Sequence, residues 1–286
     1  MDTMAELTRV RGWPKKPHWW WCSNTWYISV PFTWQLPALR QDLLNGDLFG
    51  FEVRVGGPAV KLMPDYLGDI AGVTVGGEYR GALQVVNPRA TRTTLGCPRA
   101  CGFCGVPRFE GEFRELEEWP DLPVICDSNL LASSLRHFER VVDRLKRHKQ
   151  VDFNQGLDAR LMTPHHAYEL SKVEGLFRLS WDGVGQESAV LRSIQMLTGE
   201  GIPRARIRCY VLVGWRDAPE EVAYRMERLK AVGVLPNPQR YVPLDSLTGK
   251  FVGDGWTERE LRRFCRYWSR RRLYNTIRYE DFDETR

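Results

Sequence analysis

The chain has 286 residues, 27% of them charged, a formal net charge of +5 and seven cysteines. No run of about 18 apolar residues occurs, which excludes a transmembrane helix and predicts no membrane partner. Met1-Asp2-Thr3-Met4-Ala5-Glu6-Leu7 lacks the layout of a signal peptide, and an odd cysteine count without scaffold spacing points to a reducing compartment. The expectation is a cytoplasmic protein, mildly basic enough to permit phosphate-rich partners without demanding them.

Residues 1–81 are predicted to form a short N-terminal α/β extension. Trp13, Lys15, Lys16, His18, Trp19, Trp20 and Trp21 mix cations with indoles. Such a surface can stack bases, although tryptophans are more often core. Thr25 to Val30 and Phe51 to Gly57 are predicted as two parallel strands around a helix near Pro37 to Leu44.

From residue 82 to 250, short apolar runs alternate with helical patterns, predicting an α/β core with a parallel sheet. Gly81 to Val86 is predicted as the first strand, feeding Cys97-Pro98-Arg99-Ala100-Cys101-Gly102-Phe103-Cys104. The spacing Cys-x3-Cys-x2-Cys supplies three thiolates with no fourth nearby. A 4Fe–4S cluster so held keeps one iron open to a cofactor or substrate. Structural zinc normally takes four protein ligands, and paired disulfides would leave one thiol over. The open cluster is the best of these three readings.

The next strand is predicted at Leu122 to Cys126. A helix follows with Leu135, Phe138, Val141, Val142 and Leu145 on one face. Further strands are predicted at Val151 to Asn154, Gly175 to Ser180, Arg206 to Val213 and Gln239 to Val242. Helices lie between them through Val190, Ile194 and Leu197, and from Pro219 through Val222, Met226, Leu229 and Val232. His165 and His166 begin a helix after Pro164, where a capping or surface role is expected. Six βα units make three-quarters of the eightfold barrel.

Thr94 to Cys104, with aromatic Phe103 just before the third cysteine, resembles the cluster motif of the radical S-adenosylmethionine (radical SAM) superfamily. The pattern is closest to its cobalamin-domain and methylthiotransferase-like group, and the resemblance covers roughly residues 55 to 250. It implies a partial TIM-type (βα)6 barrel in which Cys97, Cys101 and Cys104 hold the cluster and the open iron binds SAM. It further implies an electron donor such as flavodoxin or ferredoxin, and a 5′-deoxyadenosyl radical that abstracts hydrogen from an unidentified substrate. Val55-Gly56-Gly57-Pro58 resembles a turn of that group's cobalamin domains. No Asp-x-His-x-x-Gly signature is present, so the extension is read as a remnant or look-alike without cobalamin.

Barrel enzymes place functional groups where strands end. By that rule and the resemblance, Asp127 and Asn129 contact the SAM ammonium, the alternative being helix caps shared with Ser128. Arg160 clamps the methionine carboxylate, or pairs with Asp158. Ser180 and Asp182 meet the ribose, and Gln155 meets ribose or substrate. Gly214 lets adenine approach the backbone, Phe103 covers its edge, and Tyr241 and Pro243 close the sixth strand. Cys22, Cys126, Cys209 and Cys265 are isolated; Cys126 and Cys209 are predicted core.

Residues 251–286 are predicted as a basic helical segment, with one helix from Glu258 to Tyr274. Leu261, Phe264 and Trp268 mark its inner face, and Arg262, Arg263, Arg266, Arg270, Arg271 and Arg272 the rest. That surface can bind nucleic acid or simply be solvated. Two other functions stay open: radical methyl or methylthio transfer to a nucleic acid base, and a nucleic-acid-binding module with a structural metal. The missing cobalamin signature and second cysteine triad count against the first, the open cluster against the second.

Overall fold

The computed structural model describes residues 13–46, 50–77 and 79–283. The chain divides into two compact units. The first takes the described residues up to Ala90 together with 104–111 and 242–250; the second takes 91–103, 112–241 and those from 251 onward.

In the first unit, β1 (His18–Cys22) and β2 (Thr25–Ser29) form an antiparallel hairpin. Its turn places Ser23 and Asn24 at φ +46° and +62°, the positive values a tight hairpin requires. Then come α1 (Leu36–Asn45), β3 (Glu52–Gly56), α2 (Pro58–Leu62), β4 (Val73–Val75), α3 (Ala82–Val86) and α4 (Val106–Phe109). β2 and β3 are parallel around α1 as expected, and β4 adds to β3 in parallel. Leu36, Leu39 and Leu43 of α1 bury against Ile28, Val53 and Val55 in a separate apolar core. Gly57, at φ +97°, lies where a Cβ would fall 2.7 Å from the Val30 carbonyl oxygen, so only glycine fits.

The second unit begins with β5 (Ala90–Thr91), which it shares with the first, and an antiparallel pair, β6 (Thr94–Leu95) and β7 (Arg114–Glu115). β8 (Val124–Ile125), β9 (Val151–Phe153), β10 (Gly175–Trp181), β11 (Ile207–Val213) and β12 (Leu235–Arg240) follow. The sheet runs β5-β8-β9-β10-β11-β12, with β8 through β12 paired in parallel. Each strand therefore lies beside its successor in the chain, without a reversal. α5 (Leu135–Leu145), α6 (Pro164–Ser171), α7 (Glu187–Gly199) and α8 (Pro219–Ala231) separate the later strands. α9 (Glu258–Trp268) and α10 (Arg271–Thr276) end the unit. Among the described residues, no helix is long and apolar enough to cross a membrane.

Four expected elements differ. Gly81 to Val86 is not a strand: Gly81 turns left-handed at φ +89° and its carbonyl accepts the amides of Gln84 and Val85. None of the α3 residues is buried, so no sheet face awaits them. The sixth strand begins four residues early, at Leu235, and includes Pro236 and Pro238. In α5, Leu135 is exposed while His137 is buried, rotating the inner face by part of a turn. The basic C-terminal segment is two helices, broken after Trp268. Arg263 is also withdrawn from its solvated face, because its guanidinium donates to the carbonyls of Tyr279, Glu280 and Phe282.

Candidate functional site

The cysteine loop leaves β6 and crosses between the units at Phe103–Cys104. None of the seven cysteines is in a disulfide; those of the loop are half-buried and Cys126 and Cys209 buried. Within the second unit, the ends of β8, β9 and β10 supply polar groups that converge on Cys97 and Cys101.

Asp127 follows β8 and is buried. Its Oδ1 accepts the amides of Thr93 at 2.6 Å and Thr94 at 3.1 Å, and its Oδ2 accepts the Thr93 hydroxyl. These bonds tie the strand end to the segment that enters the cysteine loop. Burial pushes the carboxyl up to about 6, against the pull of those donors and Arg92. The cap reading fails for Asp127 and Asn129. Ser134 caps α5 through the His137 amide, and the Asn129 side chain caps nothing.

Asn129, 2% exposed, donates through Nδ2 to Cys97 Sγ and to Asp158 Oδ2, both at 3.4 Å. Its Oδ1 is buried without a partner. Asp158 also takes Arg99 Nε at 2.9 Å and Arg160 Nε at 2.7 Å. Burial alone would raise the Asp158 carboxyl, but the two guanidiniums hold it below the usual range. Arg160 thus makes the expected pair with Asp158, and its guanidinium also hydrogen-bonds the Cys101 thiol. One network therefore runs from Cys97 through Asn129, Asp158 and Arg160 to Cys101.

Asp182 follows β10 and is pushed up to about 6, chiefly by burial, with Arg160 and Arg225 opposing it. Ser180 is half-buried beside Gly156, where a Cβ would meet its side chain at 3.3 Å; Gln155 is exposed. Gly214 follows β11 at φ +80°, and Gly253 packs on its carbonyl so closely that a Cβ there would lie 2.2 Å from the oxygen. The protein's own backbone covers that side of Gly214. Phe103 meets Trp215 edge-on at 5.0 Å, Trp215 meets Tyr241 at 6.3 Å, and Tyr241 meets Phe251 at 5.2 Å. Pro243 belongs to the first unit.

Four contributors escape the strand-end rule: Thr93, Arg99, Trp215 and Arg225. Arg225 is fully buried in α8, donating to the carbonyls of Trp181 and Leu212 and to Asp217. It joins the ends of β10 and β11, a task no helical period reveals for a charged residue.

Among the described residues, no three His, Cys, Asp or Glu side chains are gathered as a single metal ion requires. A cubane bonds each thiolate to a different iron and so asks for ligands spread over a cluster face. Three cysteines outside any disulfide, and the unpartnered Asn129 Oδ1 on the side chain that donates to Cys97, fit such a group by donor chemistry. No protein-family model matches the chain, and no curated protein matches it.

Proposed function

We propose that this protein is a radical SAM enzyme in which Cys97, Cys101 and Cys104 hold a 4Fe–4S cluster. The observation that carries the reading is the hydrogen-bonded network joining Cys97 and Cys101 beside the unpartnered Asn129 Oδ1. When bound, such a cluster supplies the electron that splits SAM into methionine and a 5′-deoxyadenosyl radical, the agent of hydrogen abstraction. The chain's own residues bind and orient. Arg160, steadied by Asp158, presents a cation to the Cys101 sulfur and to the methionine carboxylate. Asn129 Oδ1 accepts from the SAM ammonium. Asp127 acts on the loop through Thr93 and Thr94.

Ser180 and Asp182 meet the ribose, and Phe103, Trp215 and Tyr241 form an aromatic wall against the adenine that excludes water. Because Gly253 covers Gly214, adenine approaches beside that residue and not across its carbonyl. The unreversed strand order supports a partial (βα)6 barrel. A flavodoxin- or ferredoxin-class donor in the cytoplasm supplies electrons, and no cobalamin takes part.

Anaerobic reconstitution tests the reading. The protein should take up about four irons, absorb broadly near ~400 nm, and after reduction convert SAM to methionine and 5′-deoxyadenosine. Cys101→Ala should lose all three properties. A colourless protein carrying one zinc per chain would overturn the assignment.

A further inference from the structure

A second concavity lies at the other end of the same sheet, by the amino ends of β11 and β12. Arg208, Asn237, Trp268, Ser269, Arg271 and Tyr274 are among the residues lining an open cavity of about 290 Å³. β11 is seven residues long, so at about 3.3 Å per residue some 20 Å separates Arg208's end from that of Gly214. The floor is buried: Trp268 is 2% exposed and stacks on Tyr274 at 5.3 Å.

The charges of this cavity call for an anion. Among the described residues, Arg208 and Arg271 have no carboxylate partner, and no Asp or Glu lines the cavity. Burial pushes the Tyr274 phenol up while both guanidiniums oppose it, so both lie near one ring. An anion between the two guanidiniums is attracted by both.

We propose that this cavity binds a phosphoryl group, gripped by Arg208 and Arg271 with the Asn237 amide and the Ser269 hydroxyl as further donors. The donor surplus selects phosphoryl over carboxylate. Two guanidinium forks already match the four or so acceptor sites of a carboxylate. The Ser269 hydroxyl and the Asn237 amide go beyond that number; Asn237 takes Gln239 on its oxygen, leaving its N–H groups to donate. A phosphoryl group with three strong acceptor oxygens suits the larger set. The volume is at the small end for ligand pockets, room for a phosphate carrying a modest organic group.

Titration calorimetry of the full chain with inorganic phosphate, with acetate at matched ionic strength as the control, reads the site directly. Saturable phosphate binding without acetate binding is expected. Arg271→Gln, on the exposed rim, should weaken it at least tenfold, and Ser269→Ala, which removes a hydroxyl donor, severalfold. Adenosine 5′-monophosphate and a short RNA lacking terminal phosphate then separate the sources. Stronger Arg271-dependent binding of the monophosphate marks a small phosphate ester, and of the RNA a backbone phosphate. Absent saturable phosphate binding, or binding unchanged in Arg271→Gln, overturns the proposal whether or not the cysteine loop carries a cluster.

Discussion

Asp127 shows how one buried carboxyl can position a loop it does not belong to. Its ordinary value is 3.8 and burial raises it to about 6, so the folded state holds a proton that the unfolded chain has released between those values. The stabilisation from that proton is complete below pH 4 and is lost as pH rises through 6. Asp127→Asn removes the titration yet can still offer an oxygen to the Thr93 and Thr94 amides. Between pH 7 and pH 5 the unmodified protein should therefore gain about 1.3 kcal/mol over Asp127→Asn. Urea unfolding at the two pH values measures it; parallel pH dependences would show that Asp127 is ionised throughout. Strand-end position, together with the resemblance, brought Asp127, Asn129, Arg160 and Asp182 into view. What it could not supply is the pairing. Arg99 and Asp158 stand 59 residues apart and meet only in the fold, and nothing about Arg225 distinguishes it from a solvated helix arginine.

Among the elements, periodicity served where a face is long and continuous. α5, α7 and α8 bury the apolar positions their spacing implied, apart from exposed Leu135 and half-buried Val232 at the end of α8. Short apolar runs carried less information, because five residues fit a strand or a turn of helix equally well. Gly81 decided for helix at Ala82–Val86. β12 was displaced because Pro236 and Pro238 argue against a strand, and the edge position resolves the conflict. Tyr241 donates to the Val213 carbonyl, so odd-numbered amides face β11 and the two prolines fall on the outer side. Both prolines are buried there, and neither has an N–H to satisfy. Replacing both with valine would add two buried donors facing no strand. Stability should drop by about 1–3 kcal/mol for each, as denaturant unfolding would record; an unchanged midpoint would mean that acceptors or water already reach that edge.

At the scale of the molecule, the first unit is assembled from three separated stretches of chain. Segment 104–111 is held by Lys61 on the Phe109 carbonyl and by Arg108 on the Leu62 carbonyl. Segment 242–250 is held by the Thr33 hydroxyl on the Ser246 carbonyl and by Trp34 against Gly249. A fragment spanning residues 82–286 would lose all four anchors. It should unfold without the sharp transition of the full chain, which near-ultraviolet circular dichroism on heating would reveal; an equally sharp transition at the same temperature would show that these segments hold without them.

The same connectivity bears on timing. Chains emerge from the ribosome amino end first, and units near the start ordinarily fold before the rest is made. Thr33 and Ser246 are 213 residues apart, and closing so long a loop delays the contact until nearly the whole chain exists. The unit that begins first is completed late. Its strands β2 to β4 can pair early, but the cradle for segment 242–250 waits with Leu247 missing from its apolar core. During synthesis that surface is open, and it is the place where a nascent chain of this protein would most need protection from its neighbours.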